Sequence, residues 1–97
     1  MYRILFTPSA DEDLAWFRKP EQRLIVDGAI EQLSHEPMTV TQNRKPMRPN
    51  PIAAWCIRLR EYRVYYDVDA EASLVTIRAV GYKDHNTLMI RGREVPL

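Results

Sequence analysis

From Ala54 onward the apolar residues recur at every second position, whereas before Pro37 they recur at intervals of three and four, and this change of period confines what the chain can fold into. Trp55, Ile57 and Leu59 alternate with Cys56, Arg58 and Arg60. Val64, Tyr66 and Val68 alternate with Arg63, Tyr65 and Asp67, and Val75, Ile77 and Ala79 with Thr76, Arg78 and Val80. Side chains at a period of two stand on opposite faces of a strand, and the short intervals between the runs predict a three-stranded antiparallel meander. One face of that meander is apolar and has to be covered.

The cover must come from the N-terminal third. Tyr2 to Phe6 reads as a first strand that stops at Thr7-Pro8, and Ser9 with Glu12 three residues later forms a capping-box pattern that starts a helix. Ala10, Leu14 and Phe17 fall on one stripe, and Pro20 ends that helix and opens the next. Val26, Ala29, Ile30 and Leu33 predict the buried stripe of a second helix, stopped by Pro37, with His35 complementing its dipole. Residues 37–53 contain Pro37, Pro46, Pro49 and Pro51, follow neither period and predict a long irregular loop. The C-terminal segment reads as either a short helix or an added strand. The expectation is an α+β fold of order β-α-α-β-β-β with a short C-terminal segment. Two antiparallel helices pack on one face of a mainly antiparallel sheet, and residues 1–97 form a single domain.

Charge is distributed unevenly. The net charge is +1, yet residues 44–63 carry Arg44, Lys45, Arg48, Arg58, Arg60 and Arg63 against Glu61 alone. A local cationic zone on a nearly neutral chain suits a polyanion site with limited non-specific attraction for nucleic acid; an ordinary solvated charged face is the plainer alternative. If the apolar sets face the helices, Arg58, Arg60, Arg63, Tyr65 and Arg78 share the opposite face. Guanidinium groups there grip phosphate and an aromatic ring stacks on unpaired bases. Cross-strand pairing with Asp67 is the competing account. Tyr82 is a second ring for a base, unless it only covers the sheet edge, and Trp16, off the helical stripe, is either a rim residue or a partner contact.

Some chemistries are disfavoured. A lone cysteine, Cys56, makes neither an internal disulfide nor a cysteine-built zinc site, and two histidines leave little for a protein-only metal centre, so no metal and no cofactor are expected. No eighteen-residue apolar run exists and the N-terminal residues lack a signal-peptide pattern, so the expectation is a soluble, cytoplasmic protein without a membrane partner.

The order strand, helix, helix, meander, together with AAWCIRLREYRVYYDVD and VTIRAVGYKDHNTLMI, resembles the RelE/ParE toxin superfamily across nearly the whole chain. Its most specific pieces are W-x-I-R-L followed by Y-R-V-x-Y, and a strand ending in V-G-x-K. The resemblance implies the toxin of a type II toxin–antitoxin system: a metal-independent, ribosome-dependent mRNA endoribonuclease that inhibits translation and is neutralised by a cognate antitoxin. The partners implied are that antitoxin, the ribosome with its mRNA, and promoter DNA only through the antitoxin complex. A gyrase inhibitor like ParE, or an attenuated antitoxin-binding module, shares the fold. By resemblance the catalytic positions are Arg58, Arg63, Lys83 and His85. Arg44, Lys45, Arg48, Arg60, Tyr65, Arg78 and Tyr82 are expected to contact RNA. Cys56 and Met89 stand where well-studied relatives often carry a lysine and a tyrosine.

Overall fold

One long strand organises the molecule. In the computed structural model, which describes residues 1–97, β5 (Leu74–Asp84) pairs along one edge with β4 (Tyr62–Asp69), antiparallel. Its other edge takes β1 (Arg3–Phe6) in parallel and then β6 (Thr87–Ile90) antiparallel. Outward from β4 lie β3 (Trp55–Leu59) and β2 (Arg44–Pro46), and outward from β6 lies β7 (Arg93–Glu94), so the sheet has seven strands. Two helices, α1 (Pro8–Ala15) and α2 (Lys19–Leu33), cover one face. Ala10, Phe17, Ile25, Ala29 and Leu33 meet Ile57, Val64, Tyr66 and Val80 in one core. The α+β class, the two helices and the β3–β5 meander are as the sequence predicts.

Several local expectations are corrected. Thr7, not Ser9, caps α1, its hydroxyl accepting from the Ala10 amide at 3.1 Å with Pro8 as the first helical residue. The buried stripe of α2 is Ile25, Ala29 and Leu33, leaving Ile30 48% exposed. The physical reason is Gly28: a Cβ there would lie 3.0 Å from Leu59, so the missing side chain lets the helix approach β3 on that face and turns Ile30 outward. The proline-rich segment is not wholly irregular, because Arg44–Pro46 pairs with β3. The C-terminal segment forms the β6–β7 hairpin, turning at Arg91 and Gly92, both at positive φ.

Asp13 fills a gap that the strand order creates. Between the end of β1, where the Thr7 amide donates to Ile77, and the start of β6 opposite Tyr82, the Val80 amide has no strand partner. The Asp13 carboxylate, only 2% exposed, accepts that amide at 3.1 Å, and its other oxygen accepts from Arg91 Nε at 2.6 Å. A buried charge is thereby paired and hydrogen-bonded, as burial requires, and α1 is tied to the C-terminal hairpin.

A bulge decides which way the second half of β5 faces. Tyr66 pairs with Ile77 but Tyr65 pairs with Ala79, so Arg78 is an extra residue on β5. Strict alternation put Ala79 with the helices and Val80 opposite. The extra residue reverses this: Val80 enters the helix-side core and Ala79 packs on the other face. Tyr82 accordingly faces the helices and Lys83 the far side.

That far side is not simply open. Ala53, Cys56, Tyr65, Ala79 and Leu88 form a second buried cluster, joined by Met47 and Ile52 from the proline-rich segment and Ile90 and Val95 from the C-terminal hairpin. The face left free lies at one end of β3, β4 and β5.

Candidate functional site

Strand register brings the cations together at that end. Lys45 pairs with Cys56, Arg58 with Arg63, and Arg63 in turn with Gly81, two residues before Lys83. Gln42, Asn43, Lys45, Cys56, Arg58, Arg63 and Lys83 line one cleft of about 170 Å³, with four basic side chains and no carboxylate. Gly81 keeps the cleft compact, because a Cβ there would collide with the Met89 carbonyl and force β6 away.

Each cation is held differently. Arg63 Nη1 donates to the Arg60 and Tyr62 carbonyls at 2.8 and 3.0 Å, which fixes the guanidinium plane and leaves its other nitrogens for a ligand. Burial draws Arg63 down from its ordinary value, and the Arg58 cation adds to that. The Arg58 amide donates to the Asn43 carbonyl at 2.7 Å, and its Nε and Nη2 approach Asn43 Oδ1 at 3.4 Å. Asn43 therefore positions Arg58. The Lys83 amide donates to the Glu61 carbonyl at 2.8 Å, joining the β3–β4 turn to β5. At the floor, burial pushes the Cys56 thiol up despite the opposing pull of Arg63, Lys45 and Lys83, and so keeps it a thiol at neutral pH.

Of the predicted catalytic residues, Arg58, Arg63 and Lys83 converge and His85 does not. His85 occupies the β5–β6 turn at positive φ, its side chain 95% exposed and its Nδ1 3.0 Å from Asp84 Oδ1. Among the predicted RNA contacts only Lys45 lines the cleft. Arg44 is buried, with Nη1 and Nη2 donating to the carbonyls of Gln32, Glu36 and Thr39, so it, rather than the exposed His35, supplies the cation at the C-terminal end of α2. Tyr65 is 2% exposed inside the second cluster, beside Cys56, and burial raises its hydroxyl far above the ordinary tyrosine range. Arg78, at the bulge, is paired with Asp67 at 3.0 Å, and Asp67 lies four residues along β4 from Arg63, roughly 13 Å at strand rise. Arg60 sits exposed in the β3–β4 turn and Arg48 in the loop after β2, neither in the cleft. Tyr82 is on the helix side, stacked on Trp16. Sequence reading missed Gln42 and Asn43. They carry no periodic signal, and only their place directly before a basic pair hinted at them.

The same architecture occurs among solved structures. A chain of the toxin–antitoxin complex RelBE2 from Mycobacterium tuberculosis overlays with a TM-score of 0.74 at 29% identity, covering 84% of this chain and 91% of that one. The fold is that of the RelE/ParE toxin superfamily. The isolated RelE toxin of E. coli, with a TM-score of 0.67 at 22% identity, covers 88% of this chain and 87% of its own length. The YoeB/ParE toxin from Agrobacterium tumefaciens gives 0.64 at 17%, over 87% of this chain and 100% of that one. No protein-family model and no curated protein sequence matches the chain. The RelE-like fold places the cationic cleft at one end of its central strands, and no helix in it is long and apolar enough to cross a membrane.

Proposed function

We propose that this protein is the toxin of a toxin–antitoxin pair and acts as an mRNA endoribonuclease in the cytoplasm, silenced by a cognate antitoxin. The observation that carries the reading is the convergence of Lys45, Arg58, Arg63 and Lys83 on one cleft without a carboxylate, in a RelE-like fold. Such a lining attracts a phosphodiester. It stabilises the pentavalent phosphorus formed when an adjacent RNA 2′-hydroxyl attacks in line. The 2′-oxygen–phosphorus bond forms, the bond to the 5′-oxygen breaks, and the products are a 2′,3′-cyclic phosphate and a 5′-hydroxyl. Arg63, anchored on two carbonyls, grips the non-bridging oxygens, with Arg58 beside it. The proton leaving the 2′-hydroxyl and the one reaching the 5′-oxygen pass through Lys45, Lys83 or water, because the cleft has neither an imidazole nor a carboxylate. On this reading the substrate is mRNA held by the ribosome, and promoter DNA is bound only through the antitoxin.

Induced expression in a bacterial host tests this. Translation should stop promptly, with new mRNA 5′ ends inside reading frames, and Arg63→Ala should relieve the arrest by lowering activity on the order of 10²–10³-fold while leaving the far-ultraviolet circular dichroism unchanged. Arrest that persists in Arg63→Ala, or altered DNA supercoiling without mRNA cuts, would refute the nuclease reading, the latter in favour of gyrase inhibition.

A further inference from the structure

The helix side of the sheet carries a second recess at the same end of β4 and β5, and its chemistry is the reverse of the cationic cleft. Trp16 stacks on Tyr82 with ring centroids 5.5 Å apart and planes at 11°, and Phe17 meets Trp16, Tyr62 and Tyr82 in near-perpendicular edge-to-face pairs. Two carboxylates, Glu21 and Glu61, share the lining with these four rings, and the one cation is Arg18. Glu21 is engaged, accepting from the Arg18 amide and from the Tyr62 hydroxyl at 3.1 and 3.0 Å. The Glu61 side chain makes no hydrogen bond or ion pair, and the Arg18 side chain is 90% exposed, its Nε no closer than 3.8 Å to Glu21.

We propose that this recess binds an arginine side chain presented by a partner polypeptide. Aromatic faces attract cations through the ring quadrupole, and a flat guanidinium both stacks on indole or phenol and forks onto a carboxylate. Phe17 and Tyr62 are buried while Trp16 and Glu61 are exposed, giving a closed floor and an open rim that a long side chain enters end-on.

Trp16 itself reports the binding. The two tryptophans give two indole N–H signals, and Trp55 is stacked on Tyr66, away from the recess. In an NMR titration of the whole protein, capped Gly-Arg-Gly should shift the Trp16 signal saturably in the millimolar range and leave the Trp55 signal in place. Capped Gly-Gln-Gly should not produce a saturable shift, and Glu61→Gln should weaken the arginine peptide by about threefold or more. An equal response to the glutamine peptide, an unchanged affinity in Glu61→Gln, or equal movement of both indoles would overturn the proposal. Choline binding more tightly than the arginine peptide would overturn it too, assigning the recess to a small cation instead.

Discussion

Removing the Asp13 carboxylate should unlatch the C-terminal hairpin. In Asp13→Ala the fold loses a charge-assisted bond from Arg91 and the only acceptor of the Val80 amide, and Val80 is fully buried. A buried amide left unpaired costs about 1–3 kcal/mol, and the bond from the solvent-exposed Arg91 is screened and adds only modestly to it, so the combined loss is about 3 kcal/mol. For a chain of this length that lowers Tm by roughly 15 °C. Asp13→Asn keeps an oxygen for the Val80 amide and should recover about half of the loss. Urea unfolding of the three proteins measures the energies, and amide hydrogen exchange locates the effect, with β6 exchanging faster in Asp13→Ala than β3. A loss below about 1 kcal/mol in Asp13→Ala, or equal losses in both variants, would show that the strand gap is satisfied in some other way.

Three other outcomes follow from side-chain placement. Arg44→Lys replaces a fork reaching three carbonyls by a single ammonium, and should cost about 2 kcal/mol in urea unfolding without changing RNA affinity; the reverse pattern would return Arg44 to the binding surface. His85→Ala should leave mRNA cleavage within about twofold of the parent, since the ring is solvent-exposed outside the cleft, and a large loss in single-turnover cleavage would bring the β5–β6 turn back into the chemistry. Burial raises Cys56, Tyr62, Tyr65 and Tyr66 above their ordinary values. Each group binds its proton more tightly when folded, so its contribution is intact below the unfolded value and lost as the pH rises through the folded one. Stability should therefore decline above about pH 9, and a flat urea midpoint from about pH 8 to pH 11 would contradict this.

The parts of the fold legible in the sequence are those where period and burial coincide. Ile57, Val64 and Tyr66 had unbroken alternation around them, and their faces were correctly read. Face assignment failed beyond Arg78 because a bulge leaves no compositional mark: Arg78 is an ordinary polar residue in an alternating run. Arg44 shows a different limit. Its identity suggests solvent, but the open carbonyls at the end of α2 lie across the sequence from it, and only folding brings a donor to them. Arg58, Arg63 and Lys83 were legible by resemblance to a family motif. Gln42 and Asn43 belong to the cleft through strand pairing alone.

The single extra residue at position 78 has a consequence beyond local geometry. Were Arg78 counted into the regular pleat instead of standing as an extra residue, every later position of β5 would swap sides, sending the Lys83 ammonium in among the rings of Trp16 and Phe17 and the Tyr82 phenol out beside Arg63. An anion-seeking recess and a cation-seeking one thus stand back to back on the same strands, and their opposite preferences depend on an odd step in one strand's count. Losing Arg78 would keep both specificities, because Ala79 would then follow Ile77 in ordinary alternation and still meet Tyr65, whereas drawing Arg78 into the pleat would exchange them at once with every functional side chain still present.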